Sequence, residues 1–427
     1  MAILKSTNLS LEMFNGVLQS DSSGSYPGLE LISFLLGSDQ GMLPSTPEVT
    51  ITRYGHDFAR RLVRDETLAK IDIEKVLADD FSEESIRKLL RCLELELENI
   101  TKQPTWSRTH FFPYTKSLSH WDSRIRAGKR EEKALLERQY YRGAGAFAFN
   151  VLRFDPKEER LLEIKKNLEE LFYPEKDSPL EFLAKTLRSH GVSDSEPIGD
   201  DVENRSRKML GDEIEELYRN GVFNILSHKS LPSVTKIKSI VNWTGIWLII
   251  VGNLRLPSEL HTNFIFDCGG QNQQLRRASQ RSLKEFIKNV TLGIESAIGG
   301  REISGAGIQK IKGFFAATLA NMRLINSLKG RRHFTFGLSG IEALTLAAVS
   351  SNQEMPFEQF LNSWMFDKCR FVIGRVAAQR AGLLEALDAT IFEENEKRFA
   401  DQVFAVGMLR VYSDATKMVC VGDINDK

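Results

Sequence analysis

Cysteine is scarce in this sequence, with four in 427 residues: Cys92, Cys268, Cys369 and Cys420. They lie far apart, form no CxxC pair and have no histidine at ligand spacing, which argues against a disulfide scaffold or a zinc ribbon and fits a reducing compartment. Long apolar runs are also lacking. The most apolar window, Ile240–Val251, contains Asn242 and Gly245 and falls short of the ~20 residues a membrane-spanning helix needs, so it reads as a core segment. The N-terminal residues Met1 to Ser6 lack a charged region followed by an apolar stretch and do not read as a signal peptide. No phosphate-loop GxxxxGK[ST] occurs, which argues against a Walker nucleotide site, and GxSxG, HExxH and a strand-linked GxGxxG are absent as well.

Net charge is absent too: 57 Lys and Arg face 57 Asp and Glu. That zero is a sum of unlike blocks. Between Lys102 and Arg142 there are 10 basic and 4 acidic residues, and over 271–332 there are 12 against 3. Residues 65–100 and 177–216 each hold 11 acidic and 5 basic residues, and 385–426 hold 9 and 4. Either the fold keeps these blocks apart and is electrostatically polar, or it pairs them internally.

What is present is mostly helical periodicity. Ile86, Leu89, Leu90, Leu93 and Leu97 recur at spacings of three and four, and Pro156 to Tyr173 reads as a long charged helix. Arg142 to Ala146 reads as a tight turn or a small-residue packing site. The polar stretch 189–201 has no periodicity and marks a surface loop or boundary. Ile240–Val251 and Asn263–Cys268 read as buried strands or short helices. Basic helices follow, broken at Gly299-Gly300 and Gly305–Gly307. These divisions predict three regions: 1–190, mainly helical with the basic, aromatic segment; 202–335, α-rich with buried strands and basic helices; and 336–427.

Two clusters have the chemistry of nucleic-acid contact. The first joins Arg124, Arg126, Lys129 and Arg130 to the stacking candidates Trp106 and Trp121. Cations neutralise phosphates and exposed rings stack bases. The second runs from Gln271 to Lys284 and holds Arg276, Arg277, Arg281 and Lys284 among amides, with Lys329, Arg331 and Arg332 as an extension. The competing reading is that these cations pair with the acidic blocks of the same chain. The sequence predicts no catalytic residue, metal site or cofactor. Asp155, Glu163 and Lys165 follow a nuclease-like order, but on a charged helix they read as a solvated face. Asp267 ends a strand and lacks a nearby carboxylate partner. The seven histidines include no ligand-spaced pair.

The C-terminal ninety residues contain helical segments at 340–350, from Pro356, at Val376–Leu387 and at Glu393–Met408. A break at Gly407 leads into strand-like Leu409–Ser413 and Lys417–Val421 around a polar turn. This helix–glycine–hairpin order resembles a winged helix. The resemblance implies a last helix able to enter a DNA groove, but Glu393, Glu394 and Glu396 at its start oppose phosphates, so protein docking is the expected use.

The fold expected is therefore mainly α: a multi-domain helical protein with a small β element and a C-terminal winged helix. The function expected is that of a non-enzymatic accessory or scaffold subunit of a bacterial DNA-processing complex, with protein partners, possible DNA and no membrane, in the cytoplasm. In overall look the chain is similar to subunits of restriction or phage-defence systems. A divergent metal-dependent nuclease and a winged-helix transcription regulator are the alternatives.

Overall fold

The computed structural model describes residues 4–20, 26–46, 49–54, 85, 88, 91–92, 123–124, 135–136, 143–172, 195–198, 211–326, 331–413 and 415–422. The protein is mainly α. The helices are α1 (Ser6–Phe14), α2 (Pro27–Gly37), α3 (Ala144–Arg153), α4 (Glu158–Phe172), α5 (Glu213–Ser227), α6 (Ser233–Leu254), α7 (Gln273–Ile298), α8 (Gly305–Asn321), α9 (Leu338–Ala348), α10 (Phe357–Gln359), α11 (Arg375–Arg380) and α12 (Ala389–Ala405). A π-helical run, Phe360–Lys368, continues α10. Short strands accompany them: β1 (Ile51–Tyr54), β2 (Ser123–Arg124), β3 (Leu135–Leu136), β4 (Ser195–Ile198), β5 (Phe264–Ile265), β6 (Glu354–Pro356), β7 (Phe371–Val372), β8 (Leu409–Val411) and β9 (Lys417–Cys420).

The centre is α6. The window Ile240–Val251 is helical, and the helix extends it at both ends to 22 residues. A helix apolar on every side must be covered on every side, and α6 packs against α2, α3, α5, α7, α8 and α9. Among the described residues it is the one helix long and apolar enough to cross a membrane, yet 78% of its most apolar window is buried inside the protein. Trp243 and Trp247 are fully buried on it, and Trp247 stacks on Tyr218 of α5 at 4.2 Å.

Two glycines set how closely helices approach. A Cβ on Gly28 of α2 would lie 2.5 Å from the Val241 carbonyl of α6, and one on Gly145 of α3 would lie 2.5 Å from the Leu31 amide of α2. The described part of the Arg142–Ala146 segment, residues 143–146, is therefore a packing site. It is also where Glu30, buried on α2, accepts hydrogen bonds from the Gly143 and Gly145 amides at 2.8 and 2.7 Å. A carboxylate from another helix thus satisfies the free amides and the positive end of α3.

The C-terminal part begins with α9, and three of its strands form one antiparallel sheet of order β6-β9-β8. Val419 of β9 sits opposite Met355 on one side and Leu409 on the other. The expected last helix and hairpin are present, with one difference. The helix α12 starts at Ala389, capped by Asp388, whose carboxylate accepts from the Thr390 amide at 2.8 Å. Glu393, Glu394 and Glu396 thus fall past its first turn. The helix ends at Ala405, and Gly407 just beyond it has a φ of 74° that lets the Met408 amide reach the Val403 carbonyl. The Val376–Leu387 segment is the short α11 followed by a 3-10 turn, Leu383–Glu385.

A parallel pair, β5 with β7, ties the middle of the chain to this part. Asn395 of α12 locks the junction: its amide donates to the Phe266 and Ile373 carbonyls at 2.9 Å each, and its oxygen accepts from the Cys268 amide at 2.8 Å. One cluster of buried side chains runs from Leu9 to Val419 and draws on residues from 1–190, 202–335 and 336–427 alike. Of the predicted helix over 86–97, residues 88, 91 and 92 are described and are helical and exposed, as is Ser85 before it; the rest lies outside the described residues.

Candidate nucleic-acid interface

The site is built on α7. Asn272 caps this helix, its side chain accepting from the Gln274 and Leu275 amides. One stripe of α7 is buried, including Leu275, Ala278, Leu283, Phe286, Val290 and Ile294. Leu275 and Ala278 pack with Phe392 of α12 and Val372 of β7, so the C-terminal part supports the first turns of α7 from beneath.

The opposite side carries Arg277, Arg281, Lys284 and Lys288. Spacings of four, three and four place them on one face, and all four are exposed. Among the described residues no ion pair engages any of them. The Arg281 Nε reaches only the Arg277 carbonyl, at 3.4 Å. Three acidic residues in the described part of the block 177–216 are committed elsewhere. Asp212 binds Arg255, Glu215 binds Arg219 and Arg255, and Glu216 binds Arg160 and Lys157.

A second wall faces the helix. Ile325 and Phe334 form a β-bridge, and Asn326 and His333 exchange hydrogen bonds: the His333 amide donates to the Asn326 side chain at 2.7 Å. The Ser279 hydroxyl welds this wall to α7, accepting from the Phe334 amide at 2.8 Å and donating to its carbonyl at 3.2 Å. Arg331 and Arg332 stand exposed on the wall. Two adjoining depressions lie between wall and helix. One, of about 460 Å³, is lined by Gln273, Arg276, Arg277, Gln280, Asn326, Arg331 and His333. The other, of about 690 Å³, is lined by Gln280, Leu283, Lys284, Ile287, Arg331 and Arg332.

Beneath the first depression lies Asp267, 2% exposed. It accepts from the Gly270 amide at 2.7 Å and from the Arg276 Nε at 3.3 Å, and the His333 Nε2 sits 3.8 Å away. The carboxylate therefore holds Arg276 of the helix in place, while the Asp267 amide bonds the other wall by donating to the Phe334 carbonyl at 3.0 Å. Arg276, unlike its neighbours, is tethered. Burial pushes the Cys268 thiol well above its usual range, and the Asp267 charge adds to this, so that thiol is no ready nucleophile.

The structure thus brings together Arg276, Arg277, Arg281, Lys284, Arg331 and Arg332 from the second sequence cluster. It adds Lys288, legible as the next step of the helical spacing, and Asn326 and His333, which only tertiary pairing reveals. Of the first cluster, Arg124 lies on β2, where the backbone alone is described; Trp106, Trp121, Arg126, Lys129 and Arg130, like Lys329, lie outside the described residues.

Other sequence candidates resolve differently. Asp155 is buried and paired with Arg160 at 2.6 Å, while Glu163 is exposed on α4. The predicted break at Gly305–Gly307 is instead the first turn of α8, capped by Ser304. In the loop before it, Arg301 pairs with Glu12 of α1 at 2.6 Å. His228 is bonded to the Val349 carbonyl and His261 to that of Leu256, each at 2.9 Å. Among the described residues no three His, Cys, Asp or Glu side chains converge as a metal site. Compared with protein-family models, curated proteins and solved structures, the chain matches none of them.

Proposed function

We propose that this chain is a non-enzymatic accessory subunit of a DNA-processing complex, holding nucleic acid against the exposed face of α7. The observation that carries the reading is the row Arg277, Arg281, Lys284 and Lys288: four cations on one helical face, with no ion pair among the described residues. A row of like charges costs a helix a little stability, and a polyanion laid along it removes that cost while releasing its counterions.

Residues 336–427 take the part of a winged helix that docks protein. The order helix, strand, helices, hairpin and the sheet β6-β9-β8 support this reading. The exposed face of α12 mixes Glu393, Glu394 and Asp401 with Lys397 and Arg398, which gives phosphates no net attraction. Cys268, Cys369 and Cys420 are buried and form no disulfide among the described residues, which supports a reducing cytoplasm.

The test is fluorescence anisotropy of a labelled DNA oligonucleotide at low salt, with Arg277→Glu/Arg281→Glu as the variant. Arg276 is the wrong residue to reverse, because its Asp267 contact is structural. Binding that collapses with salt and with the double variant supports the proposal. No binding at low salt to the unaltered chain ends it.

A further inference from the structure

The convex row of cations suffices to hold a phosphate backbone. It does not account for the groove beside it, which has two unlike lobes. The first is polar and cationic, with Arg276, Arg277 and His333 around amides. The second has an apolar floor, Leu283 and Ile287, under Lys284 and Arg332. Gln280 and Arg331 border both lobes.

We infer that this groove binds a nucleotide unit whose base is unpaired, its phosphate in the first lobe and its base on the Leu283–Ile287 floor of the second. A nucleotide has this same division, an anion joined to a flat apolar ring system with polar edges. Volumes of about 460 and 690 Å³ are in the range of small-molecule sites. Arg331 stands at the junction, where a guanidinium pairs with phosphate by its edge and stacks on a ring by its face. The Gln280 amide, also at the junction, donates and accepts and so suits a sugar hydroxyl or a base edge. Asp267 fixes Arg276 and lies beside His333, so the first lobe is formed before any ligand arrives. A paired base in a duplex is stacked on both faces and would have to be pulled out to enter. The groove therefore selects single strands over duplexes.

The inference rests on the polyanion reading of α7, with free nucleotide as the second source of the same chemistry. The test measures anisotropy of the full chain with a fluorescent single-stranded oligonucleotide and with its duplex at equal length and salt. In parallel, adenosine monophosphate is titrated by calorimetry. The expected result is a single-strand preference of about 10-fold. Arg331→Gln and Ile287→Gln each bring that ratio toward one, while Lys288→Gln, on the row outside the groove, lowers both affinities and keeps the ratio. Circular dichroism melting confirms that the variants fold, and Arg331, being exposed, serves if Ile287→Gln does not. Adenosine monophosphate binding that Arg331→Gln abolishes, without a strand preference, assigns the groove to free nucleotide. Equal or tighter duplex binding without a nucleotide signal overturns the inference and leaves the polyanion reading standing. Failure of both strand forms to bind ends the polyanion reading, and the nucleotide titration then decides the groove alone.

Discussion

Neutralising the basic row of α7 tests the electrostatics most directly. From Arg277 to Lys288 is eleven residues, or about 16 Å of helix at 1.5 Å per residue. One DNA strand places a phosphate about every 3.4 Å, so about five phosphates lie alongside and the four cations can neutralise about four. The logarithm of the binding constant should then fall with the logarithm of salt at a slope of about −3.6 for duplex, or about −2.8 for a single strand. A fourfold rise in salt costs about 150-fold or about 50-fold in affinity, respectively. Replacing Arg277, Arg281, Lys284 and Lys288 by Gln should remove about three units of slope, and each single replacement somewhat less than one. Stability should barely move. The like-charge pairs 277/281, 281/284 and 284/288 are relieved, while the favourable neighbours of Glu285, Arg281 and Lys288, are lost, at about 0.2–0.5 kcal/mol each. The net is within about 0.5 kcal/mol. Anisotropy across a salt series and thermal melting read both quantities. An unchanged slope together with a clear loss of stability would refute the reasoning, since it would mean that acidic residues of 65–100 or 177–210 cover the row.

Three further expectations follow from packing. Asn395→Ala strands the Phe266 and Ile373 carbonyls and the Cys268 amide in the interior; the loss should be about 3 kcal/mol or more in urea denaturation, and a loss below about 1 kcal/mol would mean that water or a shifted helix replaces the side chain. Glu30→Ala leaves two buried amides of α3 unpaired and should lower stability by about 3 kcal/mol, with Glu30→Gln costing less because one acceptor survives. Hydrogen bonds from Arg160, opposed in part by burial and aided by Lys157, lower the Glu216 carboxyl from 4.5 to about 2. Its contribution is therefore full above about pH 4.5 and is lost as pH falls through about 2. Glu216→Gln should destabilise the protein at neutral pH and flatten the stability profile over that acid window, and an unchanged profile would show the network to be redistributed.

Much of the fold was legible wherever one physical signal dominated. The apolar run in α6 announced a buried element, though its length could not be read, because the flanking Ser233 to Ser239 are neither strongly apolar nor helix-breaking. The Gly407 stop and the hairpin after it follow from backbone chemistry that only a few residue types permit. The start of α12 was misplaced because Asp388 and Thr390 carry a cap signal weaker than the run of glutamates that follows. Asn263–Cys268 reads as a buried strand or a short helix; the structure makes it a strand, with Phe264 and Ile265 in register with β7 and the Phe266 amide donating to the Val372 carbonyl.

For the site, residue types and helical spacing within Gln271–Lys284 were enough to nominate its cations, since arginine and lysine on an exposed helix face are visible to periodicity alone. Sequence also determined the helical class, the scarcity of thiols and the uneven layout of charge. Only tertiary structure decided that Asp267 tethers Arg276 beside His333, that Asn326 and Arg331 form the far wall of a groove, and that Glu30 caps a helix more than a hundred residues away. Such partners are selected by the three-dimensional path of the chain, and short-range patterns carry no record of which distant backbone will arrive to satisfy a buried charge.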